Sequence, residues 1–282
     1  MKFVKIILLA TLLFIFVWGV YYIMARQGDG IKSAQQDNVE IQQEPTPPPP
    51  SFDNEALQTK LQEVLDQYPT LETAVAVQST TDNQSVAIDA DAAYTAASTT
   101  KVIVATYALK QIEQGAVSFT TYISGETLQA HLEKMIGKSD NDSWKSLLEY
   151  FGYKKIGAYA NENGAPSFDA IANTIPPQDM ANFLKNLQAG SLINQENVQY
   201  LENLMKESYT GPIALSDEHS TIIRKAGWLG DRAHLVGVIT SGDKAVSYAI
   251  YTKTISNSAY PFTSGSALIN ELLSAITDSL QI

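Results

Sequence analysis

The segment Tyr94-Thr95-Ala96-Ala97-Ser98-Thr99-Thr100-Lys101-Val102 contains the start of a predicted helix over residues 98–113. A serine at this position is commonly only a helix cap. Lys101 argues for more than a cap, because a cation in the first turn meets the positive end of the helix dipole. Proteins tolerate such a local conflict mostly at functional sites. The i, i+3 spacing also places the lysine amine on the same helix face as the Ser98 hydroxyl.

This pair of residues has the chemistry of an activated nucleophile. Burial and the helix dipole both favour a neutral Lys101 amine, which could take the proton of Ser98. The backbone N–H of Ser98, free at a helix start, could donate to a developing oxyanion. One short segment thus predicts a nucleophile, its base and part of an oxyanion hole.

Two further motifs follow in the chain. Ser139-Asp140-Asn141 comes after the amphipathic helix predicted over residues 126–136, and Lys225-Ala226-Gly227 lies on a strand predicted over residues 220–227. Taken alone, the first is an ordinary helix cap and the second an exposed strand lysine. Their order and context give them more weight than either has alone.

The three motifs resemble the S-x-x-K, S-D-N and K-T-G signature of penicillin-recognising serine enzymes. The contexts are similar as well, in Met135-Ile136-Gly137-Lys138 before the second motif and Trp228-Leu229-Gly230-Asp231 after the third. Asn173-Thr174-Ile175-Pro176-Pro177-Gln178-Asp179-Met180 resembles the family's entry into the helix after its omega loop. The chain is therefore identified, over residues 52–282, as a member of the class A β-lactamase-like family, near the D-alanyl-D-alanine peptidases.

The resemblance implies a role for each motif residue. Ser139 would relay a proton to the leaving nitrogen, and Asn141 would hold the amide side chain of the substrate. Lys225 would attract the substrate carboxylate and support Ser139. The second oxyanion donor would come from the strand just after Gly227, near Leu229.

Two departures from the family pattern concern the substrate and the deacylation step. Ala226 replaces the usual threonine or serine, which removes a hydroxyl from the carboxylate site and should weaken binding by ~1.5–3 kcal/mol. The omega-loop segment, residues 159–173, is short and lacks the glutamate and asparagine pair that positions the deacylating water. Glu162 is its only glutamate and is the candidate base, and Asp169 is its only aspartate.

Hydrophobic patterning predicts an α+β fold. One antiparallel sheet is built from both ends of the chain, is flanked by helices and has an inserted all-helical lobe. Strands are predicted over residues 73–79, 85–89, 220–227, 234–240 and 245–253. Helices are predicted over residues 53–67, 98–113, 126–136, 142–151, 177–187, 195–206 and 264–280.

The amino terminus predicts a membrane anchor followed by a linker. Residues 6–25 are uncharged and long enough to span the hydrocarbon core, and they lack a small-residue cleavage site. We therefore interpret residues 1–26 as an uncleaved signal anchor, with cleavage after Ala25 and secretion as the alternative. Residues 27–51 are rich in glutamine and proline and predict an extended spacer. The catalytic domain, residues 52–282, is expected on the extracytoplasmic face.

Composition excludes several other classes of function. A net charge of -11 opposes nucleic-acid binding, and the absence of cysteine excludes disulfides and cysteine-ligated metals. The three histidines are scattered, so we expect no metal site and no cofactor.

The expected activity is hydrolysis of β-lactams through a Ser98 acyl-enzyme, with slow deacylation. The alternatives are a D-alanyl-D-alanine carboxypeptidase acting on peptidoglycan, or a module that binds β-lactam or peptidoglycan without turnover. The expected partners are such substrates, the cell wall and the membrane.

Overall fold

The computed structural model describes residues 50–208, 211, 213, 219–256 and 258–281. The predicted anchor and most of the linker lie outside these residues. None of the described helices combines the length and the apolarity needed to cross a membrane. The helices are α1 (Asn54–Leu65), α2 (Lys101–Glu113), α3 (Leu128–Gly137), α4 (Asn141–Phe151), α5 (Tyr153–Glu162), α6 (Pro177–Gln188), α7 (Gln195–Lys206) and α8 (Phe262–Leu280). The strands are β1 (Leu71–Ser79), β2 (Ser85–Ile88), β3 (Tyr94–Thr95), β4 (Tyr122–Ile123), β5 (Glu126–Thr127), β6 (Thr174–Ile175), β7 (Ser220–Leu229), β8 (Arg232–Ser241) and β9 (Lys244–Thr254).

Five strands form one antiparallel sheet in the order β2-β1-β9-β8-β7. The amino-terminal hairpin β1–β2 joins the carboxy-terminal strands through β1 and β9, which pair from Leu71↔Thr254 to Ser79↔Val246. The predicted sheet built from both ends of the chain is therefore confirmed. Strand β7, which carries the third motif, lies at one edge of this sheet.

The two faces of the sheet are covered by different helices. Alternate residues of a strand point to opposite faces of the sheet. Leu235 of β8 therefore packs with Leu57 of α1 and Leu272 of α8 on one face. Val236 packs on the other face, with the inserted helical lobe. Helix α6 packs across β1, β8 and β9 on this second face. The remaining helices from α2 to α7 form the inserted lobe, which includes the buried Leu132 and Leu147.

Helix α2 begins at Lys101, three residues later than predicted. The preceding residues form tight i→i+3 turns, in which Lys101 N–H donates to Ser98 O at 3.4 Å and Val102 N–H donates to Thr99 O at 3.3 Å. Such 3₁₀-type geometry eclipses the side chains at i and i+3. The serine and the lysine therefore stay on one side even though the serine lies outside the α-helix.

Hydrophobic patterning does not predict helix α5, whose carboxyl-terminal end overlaps the expected omega-loop segment, residues 159–173. Glycine weakens a helix, and Gly157 lies in the middle of this one. A side chain would also fit at this position, since a Cβ at Gly157 would lie 3.7 Å from the Cβ of Ala170, an ordinary van der Waals distance. Buried Ile156 and Ala160 anchor the same face, so tertiary packing overrides the weak propensity.

Candidate functional site

The turn that carries Ser98 has an unusual backbone. Ala97 adopts φ 52°, which is uncommon for a residue with a side chain. Ala96 N–H donates to Asn173 O at 2.9 Å, which fixes the entry to the turn. Ser98 itself is half-buried, and among the described residues its backbone N–H has no hydrogen-bond partner. The turn therefore presents both the hydroxyl and the N–H of Ser98.

Lys101 points its amine at the Ser98 hydroxyl. Its Nζ donates to Ser98 Oγ at 3.0 Å, to Ser139 O at 2.5 Å and to Asn141 Oδ1 at 2.7 Å. Lys101 is 1% exposed, so it is buried as its expected role as a neutral amine requires. All three amine hydrogens have an acceptor within reach, so the orientation of the ammonium is fixed.

The second motif closes one side of the site. Ser139 adopts φ 59°, and Asp140 then caps helix α4 by accepting from Ser143 N–H at 2.7 Å. Asn141 begins that helix, and its Oδ1 already accepts from Lys101. Its amide nitrogen is left to donate to a substrate carbonyl.

The third motif places a second buried lysine behind Ser139. Lys225 is 0% exposed, and its Nζ donates to Ser139 Oγ at 2.6 Å. The structure thus brings Ser98, Lys101, Ser139, Asn141 and Lys225 together from three distant parts of the chain. Two serine–lysine pairs result, with Lys101 also bonded to the carbonyl of Ser139.

The two lysines have lowered pKa values. Burial lowers the pKa of Lys101 to about 8, while the negative charge of Asp140 opposes this shift. Burial, together with the positive charge of Lys101, lowers the pKa of Lys225 to about 7. Two buried ammonium groups this close disfavour each other's charge, so neutral amine is present near neutral pH.

The edge strand β7 approaches Ser98 at Gly227. A Cβ at Gly227 would lie 2.9 Å from Ala96 O and 3.0 Å from Ser98 N, so only glycine fits without a shift. Ala226 O accepts from Lys225 Nζ at 3.3 Å, which indicates that it faces away from β8. The N–H of Trp228, two residues along the strand, faces the same way. The geometry therefore favours Trp228 N–H, rather than an amide near Leu229, as the second oxyanion donor.

A cavity of about 450 Å³ opens over Ser98. Leu229, which is 50% exposed, and Asn141 line it, whereas Ala226 does not. Ala226 is 2% exposed and packs in the cluster of α1 and α8. The other lining residues are Thr95, Ala97, Lys101, Asp142, Trp144, Lys145, Tyr153, Asn173 and Trp228.

Asn173 is a site residue that sequence reasoning did not assign. Its Nδ2 donates to Ala97 O at 2.9 Å, and its Oδ1 accepts from Thr100 Oγ1 at 2.5 Å. Its own φ is 52°. Strands β3 and β6 pair beside it and hold it against the nucleophile turn. The segment from Asn173 to Pro177 resembles the family, but this resemblance did not reveal which of its side chains would lie beside Ser98.

Glu162 lies away from this site. It is exposed at the carboxyl end of α5 and lines a different cavity together with Tyr107 and Lys110. The expectation that it could be a deacylation base is therefore corrected, because the helix continues where a loop was expected and carries Glu162 away from Ser98. Asp169 is also exposed, and its Oδ1 accepts from Ile171 N–H and Ala172 N–H.

Two of the three histidines, His131 and His234, are held by backbone carbonyls. His131 Nε2 donates to Ile123 O at 2.8 Å, and His234 Nε2 donates to Thr95 O at 2.9 Å. Within the described ranges no group of three or more histidine or acidic side chains is arranged to bind a metal ion.

Fold and site together are those of a serine hydrolase in which a lysine amine lies 3.0 Å from the serine hydroxyl. The model of the β-lactamase enzyme family matches residues 56–280, and the chain belongs to this family. The comparison with curated proteins finds no match.

Solved structures share the fold at low sequence identity. A leucine-to-glutamate mutant of PBP-A, solved as an acyl-enzyme complex with penicillin G, has a TM-score of 0.71 at 19% identity and covers 83% of this chain and 99% of its own. The β-lactamase from Desulfarculus baarsii has a TM-score of 0.72 at 19% identity, covering 82% and 99%. The TLA-1 extended-spectrum β-lactamase has a TM-score of 0.70 at 18% identity, covering 80% and 99%.

Proposed function

We propose that this protein is acylated by β-lactams at Ser98 and releases the product slowly. The observation that carries the proposal is the contact of 3.0 Å between Lys101 Nζ and Ser98 Oγ in a site where burial lowers the lysine pKa. A neutral amine at this distance can accept the proton as the hydroxyl attacks. The family and the penicillin complex of PBP-A support a β-lactam as the electrophile.

Acylation uses groups that surround Ser98. Ser98 Oγ attacks the β-lactam carbonyl carbon while Lys101 takes its proton. The N–H groups of Ser98 and Trp228 stabilise the negative oxygen. The ring C–N bond then breaks, and the nitrogen takes a proton from the hydroxyl of Ser139. Lys225, which donates to Ser139 Oγ at 2.6 Å, returns a proton to that serine.

Deacylation needs a water molecule and a base on the free face of the ester. Among the described residues that line the cavity, the one carboxylate is Asp142, in the first turn of α4 beside Asn141. The segment after α5 contributes the amide of Asn173 instead of a carboxylate. Loss of a positioned general base slows a step by ~10²–10⁴-fold, so the acyl-enzyme accumulates.

The test is intact-protein mass spectrometry of the full-length protein after mixing with benzylpenicillin. We expect a stoichiometric adduct with the mass of the whole penicillin, since ring opening retains the leaving group, and slow loss of that adduct. Ser98→Ala should form no adduct. The matched control Glu162→Gln should leave the adduct lifetime unchanged, because Glu162 lines a different cavity. Clearance within seconds in the wild type would overturn slow deacylation, and an adduct on Ser98→Ala would overturn the nucleophile.

The same preparation distinguishes the alternative functions. Release of D-alanine from a peptide ending in D-alanyl-D-alanine would identify a carboxypeptidase. A permanent adduct without product would identify a binding module, and no adduct together with binding to peptidoglycan would identify a scaffold.

The proposed location is the extracytoplasmic face of the membrane. Residues 1–26 supply the predicted anchor and residues 27–51 the spacer. Membrane fractionation of the full-length protein, compared with a protein lacking residues 1–26, tests this proposal.

A further inference from the structure

Three buried polar side chains lie directly beneath the nucleophile turn. Thr99, His234 and Tyr251 are each 0% exposed, and they come from the turn, from β8 and from β9. We call these three residues the buried clamp. None of them lines the cavity over Ser98, so none contacts the substrate there.

His234 joins the sheet to the strand that leads into the turn. Its Nε2 lies 2.9 Å from Thr95 O, and its Nδ1 lies 3.2 Å from Thr252 N. A carbonyl can only accept and a backbone N–H can only donate, so Nε2 carries the proton and Nδ1 is the acceptor. Both ring nitrogens are therefore used, which fixes one neutral tautomer.

Tyr251 continues this network toward Ser98. Its ring stacks on His234 with centroids 4.4 Å apart, and its hydroxyl lies 2.9 Å from Thr99 Oγ1. Thr99 has one hydroxyl hydrogen, which it donates to Ala96 O at 2.8 Å. Tyr251 is therefore the donor to Thr99. The chain of donors runs from the sheet through Tyr251 and Thr99 to the residue that precedes Ala97.

The turn needs such support because its backbone is costly. Ala97 holds a positive φ, and residues 96–102 are joined by long i→i+3 hydrogen bonds of 3.3–3.4 Å. Backbone conformations of this kind persist only where surrounding contacts fix them. The buried clamp bonds the carbonyls of Thr95 and Ala96, which directly precede the strained residue.

We propose that His234 and Tyr251 are positioning residues, which hold Ser98 in reach of Lys101 and of the oxyanion donors by bonding Thr95 O and, through Thr99, Ala96 O. The proposal rests on the proposed function for its kinetic consequence. The positioning itself is independent of the substrate. Sheet, turn and site are coupled through two residues that do not touch the substrate.

The chain offers matched variants for each half of the clamp. His234→Gln can place an amide N–H near the position of Nε2 and so bond Thr95 O, whereas the shorter His234→Asn reaches only the position of Nδ1. Tyr251→Phe removes the hydroxyl that donates to Thr99 and keeps the ring. Tyr248→Phe is its control, because Tyr248 is equally buried on the same strand, packs on the opposite face and has a hydroxyl without a partner among the described residues.

The experiment measures two quantities on the full-length protein. Hydrogen–deuterium exchange followed by mass spectrometry on the peptide that covers residues 94–102 reports the turn without any substrate. Stopped-flow acylation by a chromogenic β-lactam, normalised to the fraction of protein that forms the adduct, reports the rate per competent site. A misplaced nucleophile loses up to roughly 10²-fold in rate, so we expect ~10- to 100-fold slower acylation in His234→Asn and Tyr251→Phe. The affinity of the complex before acylation should be unchanged in both variants, and their turns should exchange faster.

The controls separate positioning from general stability. His234→Gln and Tyr248→Phe should retain the wild-type rate and exchange even where the unfolding temperature falls. Wild-type exchange in the turn of His234→Asn and Tyr251→Phe would overturn the proposal. Faster exchange in a protein that no β-lactam acylates would leave the positioning intact and overturn the proposed function instead. Equally slowed acylation in Tyr248→Phe and Tyr251→Phe would also overturn the positioning proposal, because the effect would then follow the loss of any buried hydroxyl.

Discussion

The environment of the Lys101 amine decides the chemistry of the site. It is buried and donates to Ser98, Ser139 and Asn141. A buried ammonium is disfavoured unless its hydrogens are accepted. Here acceptors are present, and burial still lowers the pKa of the amine. The same burial that holds the amine in place therefore makes it a base.

Replacing Lys101 by methionine tests this role. Lys101→Met keeps most of the side-chain volume and removes the base, so acylation by benzylpenicillin should fall by ~10²–10⁴-fold. Two acceptors, Ser139 O and Asn141 Oδ1, lose their donor, which should lower the free energy of unfolding by ~1–3 kcal/mol for each acceptor. The measurements are stopped-flow acylation and urea unfolding. An acylation rate equal to the wild type would show that Lys101 is not the base.

At the scale of elements, the edge strand β7 is the component that completes the site. It has no strand on its outer side in the described sheet, so its outward backbone groups are free to meet a substrate. Its approach to the nucleophile turn is closest at Gly227, where a Cβ would contact Ala96 O and Ser98 N. A side chain here would push apart the turn and the strand that carry the two oxyanion donors.

Gly227→Ala should therefore impair acylation more than it impairs folding. The added methyl group requires a shift of a few tenths of an ångström between β7 and the turn, and one lost oxyanion donor costs ~10²–10³-fold in rate. The matched control is Gly242→Ala, at a turn remote from β7's contact with Ser98, where a Cβ meets nothing within 4 Å although φ is 59°. Acylation rates and unfolding temperatures of both variants are compared. A slower rate in Gly242→Ala than in Gly227→Ala would contradict the assigned contact.

At the scale of the whole molecule, the site joins three segments that are far apart in the chain. The nucleophile turn precedes the inserted helical lobe, Ser139 lies inside that lobe, and Lys225 follows it on the sheet. Two lysines thus become buried together only when the domain is folded. Their lowered pKa values tie the stability of the fold to pH.

Stability should rise with pH between about 7 and about 9.5. The folded pKa values of about 8 and about 7 lie below the ordinary lysine value of 10.5, so the unfolded chain binds more protons in this window. The free energy of unfolding then increases with pH, by at most ~1.4 kcal/mol per pH unit for each lysine. Buried tyrosines with raised pKa values, such as Tyr94 and Tyr251, reverse the trend above pH 10.

Urea unfolding at several pH values across this window measures the slope of the free energy of unfolding against pH. Lys225→Met should reduce it, because one of the two titrating groups is lost, whereas Met in place of the exposed Lys154 should leave it unchanged. An unchanged slope in Lys225→Met would mean that Lys225 titrates alike in the folded and unfolded chains.

Acylation should also speed up as the pH rises through about 8, since neutral Lys101 is the reactive form.

The features of this protein that depend on local spacing could be predicted from the amino-acid pattern alone. Ser98 and Lys101 are three residues apart, so either an α-helical or a 3₁₀ turn places them together, and the prediction held although α2 begins later than expected. The alternating and helical patterns likewise predicted the sheet and its inserted lobe, because hydrophobic periodicity reports which face each element buries.

The features that depend on contacts between distant segments could not be predicted in this way, because no local pattern encodes which segments meet in the folded chain. Burial of Ile156 and Ala160 holds α5 in the helical lobe, and Glu162 at the end of this helix lines a cavity other than the one over Ser98. The outward direction of the backbone on the edge strand favours Trp228 over Leu229 as the oxyanion donor. The extent of Lys101 burial and the contacts of His234 likewise could not be predicted, because solvent exclusion and hydrogen bonds between strands arise only when the whole chain is folded.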